Sequence, residues 1–285
     1  MSNDWQELAA PQRRGTPPGS MRYFAVLFAA PGVRQLLHAF YAFEAELRDS
    51  IDGASHDIAH TRLQWWHDEL TRLGDGRPRH PVTIALAPAM AQRPADLARL
   101  RELMHAAALD LARNTYADWS ELDGYCGQSA GALQEAIAGA LSTPADPDEA
   151  ECHFARRLGA AVRQTEMLRD FGHDLRRGLL YVPLGLLAEA GLDPQAVPGH
   201  PEDPALAPLL AEWQTRLAHE LDFLPGLLDA RQRRRQAHGL VLAALHRRLL
   251  ARIRPVGEDP AVRADLPPIT RLWTAWRAAV ASHRP

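Results

Sequence analysis

Three carboxylates recur at every fourth residue: Glu166, Asp170 and Asp174. On a helix that spacing stacks them on one face. Like charges so placed repel by about a few tenths of a kcal/mol per pair, so folding gains nothing from the stripe unless cations neutralise it. Hard divalent ions, chiefly Mg²⁺, take such oxygens and hold phosphate oxygens in turn. The other reading is a solvated face, salted by Arg163, Arg169 and His173. A second group lies in FEAELRDSID at 43–52, where Asp49 and Asp52 share a face with Glu46. Facing helices of a bundle often build metal sites from such pairs.

Other chemistries are excluded by what is missing. All 32 basic residues are arginine, so lysine Schiff bases and the lysine-bearing phosphate loop are absent. No HExxH or GxSxG motif occurs. Two cysteines, Cys126 and Cys152, rule out a four-cysteine zinc site and a disulfide scaffold, and read as buried thiols. A formal charge of −3 argues against a nucleic-acid partner. The arginines between 231 and 235 have no aromatic platform beside them and read as a solvated helix start.

The elements that must position these groups are helical. Alanine, leucine and arginine dominate, and alternating β-branched runs are nearly absent. Helices are expected at about 31–50, 56–73, 82–89, from 94, 119–140, 149–176, 209–222 and 230–253, with Gly178 stopping the longest. A last helix carries Leu272, Trp273, Trp276 and Val280 on its apolar side. One all-α domain over 19–285 is expected, after a flexible arm at 1–18 that holds three prolines. The N-terminus has no signal-peptide pattern and no apolar run reaches 18 residues, so a cytoplasmic protein is expected. A lipid substrate or product would bring it to a membrane surface as a peripheral protein.

The chain resembles the squalene/phytoene synthase family, the head-to-head trans-prenyltransferases, over about residues 20–275. RYFAVLFAAP at 22–31 resembles the family's opening helix, and FYAFEAELRDSID at 40–52 stands at its first aspartate motif. LQWWHDEL at 63–70 and GYCGQSAGAL at 124–133 resemble the helices that follow. MLRDFGHDLRRGLLYVPLGLLAEAGLDP at 167–194 is similar to the second aspartate motif and its tail, and is the most specific match.

The resemblance implies an isoprenoid-synthase-like bundle around a central cavity, in which Mg²⁺ holds farnesyl or geranylgeranyl diphosphate for condensation to squalene- or phytoene-type products. It leaves NADPH use open. It makes Asp49, Asp52, Glu166, Asp170 and Asp174 the metal ligands. Tyr41 and Tyr181 join the aspartates as catalytic candidates. Arg48, Arg169, Arg177, Phe43, Tyr125 and Gly131 become substrate contacts, the small residue leaving room for a prenyl tail. The chain departs from the pattern at Arg48, which stands where the first motif begins with aspartate, and at Glu44, Ala45, Arg163 and Glu166. Either Glu44 and Glu46 compensate as ligands, or the first metal site is damaged. FEAEL also resembles a divergent branch of assembly factors, so a non-catalytic assembly or lipid-binding protein, with a protein partner, is the alternative.

Overall fold

The computed structural model describes residues 14–112, 115–142, 149–254 and 263–283. They form an all-α bundle without a β-strand among the described residues. In chain order the helices are α1 Met21–Leu27, α2 Pro31–Ile51, α3 His56–Gly74, α4 Pro81–Gln92, α5 Asp96–Ala112 and α6 Trp119–Cys126. A π-turn, Gly127–Gly131, leads into α7 Ala132–Leu141. Then come α8 Glu149–Arg176, α9 Leu184–Glu189, α10 Leu206–Phe223, α11 Ala230–Arg235, α12 Ala237–Leu250 and α13 Pro268–Ser282. No described helix is long and apolar enough to cross a membrane.

Local chemistry sets the ends. Ser20 caps α1 by accepting from the Tyr23 amide, and Asp118 caps α6 by accepting from Glu121. Gly178 adopts φ 77°, and the amides of Gly178 and Leu179 close back on the carbonyls of Leu175 and Asp174. That left-handed stop ends α8 one turn after the acidic stripe. Two expected helices are broken. The one at 119–140 passes through the π-turn, and the one at 230–253 is split at Gln236.

The 28-residue α8 runs through the middle of the larger apolar cluster, with Phe154, Leu158, Leu168 and Phe171 packed among residues of α1, α6, α10 and α12. Its contact with the π-turn is so close that a Cβ on Gly159 would lie 2.1 Å from the Ala130 carbonyl oxygen. Gly131 is part of the same contact, since its Cβ would lie 2.8 Å from the Arg156 carbonyl oxygen. The missing side chain of Gly131 therefore serves helix packing, where space for a prenyl tail had been expected.

A second apolar cluster joins α2, α3, α4, α5 and α7. Phe43 belongs to it, fully buried and edge-on to Trp66 at 5.4 Å, which makes it a core residue. Trp66 also donates to Ser50 Oγ at 3.0 Å, fixing α3 to the end of α2.

Residues 1–13 of the expected arm lie outside the described residues. Residues 14–16 pack against α2, where Thr16 Oγ1 meets His38 Nδ1 at 2.6 Å and Gly15 presses on the Tyr41 carbonyl. The last helix is turned the opposite way from expectation. It buries Ala275, Ala279 and Ser282, and leaves Leu272, Trp273, Trp276 and Val280 exposed.

Candidate functional site

The facing surfaces of α2 and α8 meet through charge. Arg22 on α1 donates to both oxygens of the buried Glu44, at 2.5 and 3.3 Å, and Arg48 donates to Glu44 at 2.7 Å. The same two guanidiniums stand 3.8 and 3.7 Å from Glu166 of α8. Burial alone would raise the Glu44 and Glu166 carboxyls. Arg22 and Arg48 outweigh it and hold both below the usual carboxylate range. Arg48 thus closes an internal ion-pair quartet, and Glu166 is neutralised by arginine.

Tyr41 supports this quartet from beneath. Its ring lies 4.9 Å under the Arg22 guanidinium. Its hydroxyl accepts from Gln134 at 3.0 Å and meets His238 Nε2 at 2.9 Å. Burial, with Arg22 nearby, pushes His238 down to about 3, so the ring stays neutral and its hydrogen bond with the Tyr41 hydroxyl joins two uncharged groups. Tyr41 is fully buried and acts as a positioning residue for Arg22. His246 lies close to Glu166 and is also held neutral by burial, at about 4. It uses Nδ1 on the Leu242 carbonyl and leaves a buried Nε2 without a hydrogen bond.

One turn further along α8, Asp170 is gripped by its neighbour Arg169 through two bonds, at 2.8 and 2.7 Å, with Arg263 at 3.2 Å. Asp174 differs. Its side chain has no hydrogen bond or ion pair among the described residues. Burial and the adjacent Asp170 push its carboxyl up to about 6, against the pull of Arg163, Arg177 and Arg263. Arg177 pairs with Asp52, which caps the C-terminus of α2, so the ends of the two acidic segments do face one another. Asp49 does not join them. Its side chain is 59% exposed and faces Arg14 at 3.5 Å. Asp52 is 62% exposed.

A group of aromatics lies beside Arg163 and Asp174. Tyr116 stacks on Tyr181 at 6.2 Å and tilts against Tyr125 at 5.3 Å. Tyr125 donates to Asp110 at 2.5 Å. Arg163 reaches the Tyr125 hydroxyl at 3.5 Å and lies 5.9 Å over the Tyr181 ring. Burial pushes Tyr181 up to about 12, so it remains a neutral phenol. The site thus combines an aromatic wall, a fixed guanidinium and a carboxylate pair.

A Mg²⁺ ion commonly takes one or two protein carboxylates and completes its shell with water and phosphate oxygens. Asp170 and Asp174 fit that demand, because a cation would relieve the repulsion that raises Asp174. The first motif fits poorly, with Glu44 already neutralised and Asp49 turned to solvent, and on α8 Glu166 is likewise taken up by arginine. No group of three or more His, Cys, Asp or Glu suited to a metal occurs among the described residues.

The squalene/phytoene synthase family profile matches residues 17–273. The chain belongs to the squalene/phytoene synthase family. Among relatives, a phytoene synthase of Arabidopsis thaliana is 32% identical over 185 residues, 61% of this chain and 42% of that protein. That of Arthrospira platensis is 34% identical over 167 residues, 54% of each chain. The matches thus span about half or less of these relatives' length. A crystal structure of a dehydrosqualene synthase in complex with ligand superposes with a TM-score of 0.79 at 20% identity, covering 97% of this chain and 96% of that one. A squalene synthase of Alicyclobacillus acidocaldarius gives 0.68 at 23% identity, covering 86% and 96%. These confirm the synthase fold.

Within this synthase fold, Arg22, Asp110, Tyr116 and Arg263 join the site without having been singled out from sequence. Arg22 stood in a motif read only as an opening helix. Asp110 and Tyr116 have no local motif, and Arg263 reaches Asp170 from far along the chain.

Proposed function

We propose that this protein is a prenyltransferase of the head-to-head type, which binds prenyl diphosphates with Mg²⁺ and condenses them in the cytoplasm. The observation that carries the reading is the half-buried Asp170–Asp174 pair, set among Arg163, Arg169, Arg177 and Arg263 and next to the tyrosine wall. Such a place accepts a divalent cation and a polyanion together, with an apolar chain beside them. Mg²⁺, when bound, supplies charge neutralisation of the diphosphate as it leaves.

The chain's own residues then divide the work. Asp170 and Asp174 hold the ion. Arg177 and Arg263, both partly exposed, stabilise the charge that develops on the departing group. The neutral phenols Tyr116, Tyr125 and Tyr181 line an apolar wall and keep water from the allylic carbon. Farnesyl and geranylgeranyl diphosphate are the proposed substrates. NADPH would be needed only for a squalene-type product.

One observation favours a second reading. Arg48 occupies the start of the first motif and is paired inside the protein with Glu44. That arrangement suits a synthase-like protein that binds a prenyl lipid, or a protein partner, without condensing it. The experiment is release of diphosphate from farnesyl or geranylgeranyl diphosphate, with and without Mg²⁺, beside titration with a farnesyl thiodiphosphate. Mg²⁺-dependent release that is lost in Asp170→Asn supports the synthase. Thiodiphosphate binding without release supports the second reading. Neither binding nor release removes both.

A further inference from the structure

The last helix, α13, exposes what a soluble bundle normally buries. Ile269, Leu272, Trp273, Trp276 and Val280 are 81%, 46%, 58%, 44% and 39% exposed. At about 100° per residue these five positions fill an arc of about 100° on one side of the helix. The buried side is made of the small residues Ala275, Ala279 and Ser282. The two indoles lean on each other, 4.9 Å apart, and both remain open to solvent. Isolated exposed apolar residues need no explanation, but a continuous stripe with two tryptophans does.

Among the described residues, the charges around the stripe that have no partner are of one sign. α13 has two arginines and no acid. Arg277 lies exposed at the edge of the stripe, Arg248 is exposed on α12 and lines the same groove, and Arg252 is exposed just past the end of α12. None of these three forms an ion pair among the described residues. Asp222, also in the neighbourhood, is taken up by Arg247 at 2.9 Å. Between α12 and α13 runs a groove of about 790 Å³, lined by Ile269, Trp273, Arg248 and Arg277 among others. The segment that leads into α13 carries Arg263, which bonds to Asp170 of the site.

We infer that α13 is a membrane-docking helix, which lies in the headgroup region of an anionic bilayer with its tryptophans in the interface and Arg248, Arg252 and Arg277 on the lipid phosphates. Tryptophans at the interface and arginines beside an apolar face are the features that hold a helix in the plane of a membrane. The groove gives an acyl chain a seat. A second copy of the chain is a poorer occupant. A two-fold contact would set this basic stripe against itself, arginine opposite arginine. The inference does not depend on which reaction the site performs.

The test is flotation of the full chain with phosphatidylcholine vesicles, with and without phosphatidylglycerol. Binding is expected with the anionic vesicles and should weaken with salt. Trp273→Ser with Trp276→Ser should reduce the partition coefficient by about tenfold or more. Arg248→Ser with Arg277→Ser should reduce it by about 25-fold on anionic vesicles, at about fivefold per arginine. Trp65→Ser, an exposed indole on α3, should change nothing. Brominated lipid should quench part of the wild-type fluorescence, and that part should vanish in Trp273→Phe with Trp276→Phe. This measurement holds even if the serine variants fold poorly. Absence of wild-type flotation on anionic vesicles would overturn the inference. So would unchanged binding by both double variants, or a wild-type dimer that the tryptophan variants turn into monomers.

Discussion

Asp174→Asn separates the cost of the site from its use. Burial and Asp170 raise the Asp174 carboxyl to about 6, from an unfolded value near 3.8. The folded state therefore holds its proton more tightly, and this group makes stability fall as pH rises through the window between those values. Ionising a carboxyl held that far above its unfolded value costs the folded state about 3 kcal/mol once pH is well above 6. Partial solvent contact of Asp174 trims that to about 2–3 kcal/mol. Asparagine keeps the shape and removes the charge. At pH 8 the variant should be more stable than wild type by that amount in urea unfolding, with little change in the dependence on urea. At pH 4, where the wild-type group is protonated when folded, the gap should shrink to about 0.5 kcal/mol. Adding Mg²⁺ and inorganic diphosphate at pH 8 should stabilise wild type and leave the variant unmoved. A variant no more stable at pH 8, or a gap that does not close on acidification, would refute the account of Asp174 as a strained carboxylate awaiting a cation.

Two more outcomes test the frame around the site. Arg22→Met leaves the buried Glu44 with Arg48 alone and takes one of two guanidiniums from Glu166, so it should cost about 3–5 kcal/mol at neutral pH. Because both carboxyls are depressed in the wild type, their contribution is fully present above the unfolded value near 4.5 and is lost progressively as pH falls from there through the lower folded values. The deficit should therefore begin to shrink below about pH 4 in unfolding curves and close only as pH falls on through the depressed folded values. Gly159→Ala would drive a methyl into the Ala130 carbonyl and should lower stability by more than about 2 kcal/mol, read as a drop in Tm with the circular dichroism of a helical protein retained.

The acid stripe of α8 could be read from spacing because its members are four residues apart on one helix, and helix geometry alone places them together. Its stop at Gly178 was equally local. The same local rule gave the wrong sense for α13. Periodicity shows that Leu272, Trp273, Trp276 and Val280 share a side, but it cannot say whether that side meets the core. Phe43 and Gly131 show the same limit. Their types suit a cavity wall, and only the packing of α3 and α8 against them shows that they are core and helix contact.

By itself, then, the sequence determined an all-helical chain, the stop of α8 at Gly178 and the carboxylate pair that this helix presents, since these follow from interactions a few residues in reach. Tertiary structure decided which charges meet. Arg22 and Glu44, Tyr41 and His238, and Arg263 and Asp170 lie 22, 197 and 93 positions apart. No sequence period links such distant partners. They meet because the apolar faces of α1, α2, α8 and α12 pack together, and the resulting loss of water makes an ion pair the least costly state for the charges trapped between them.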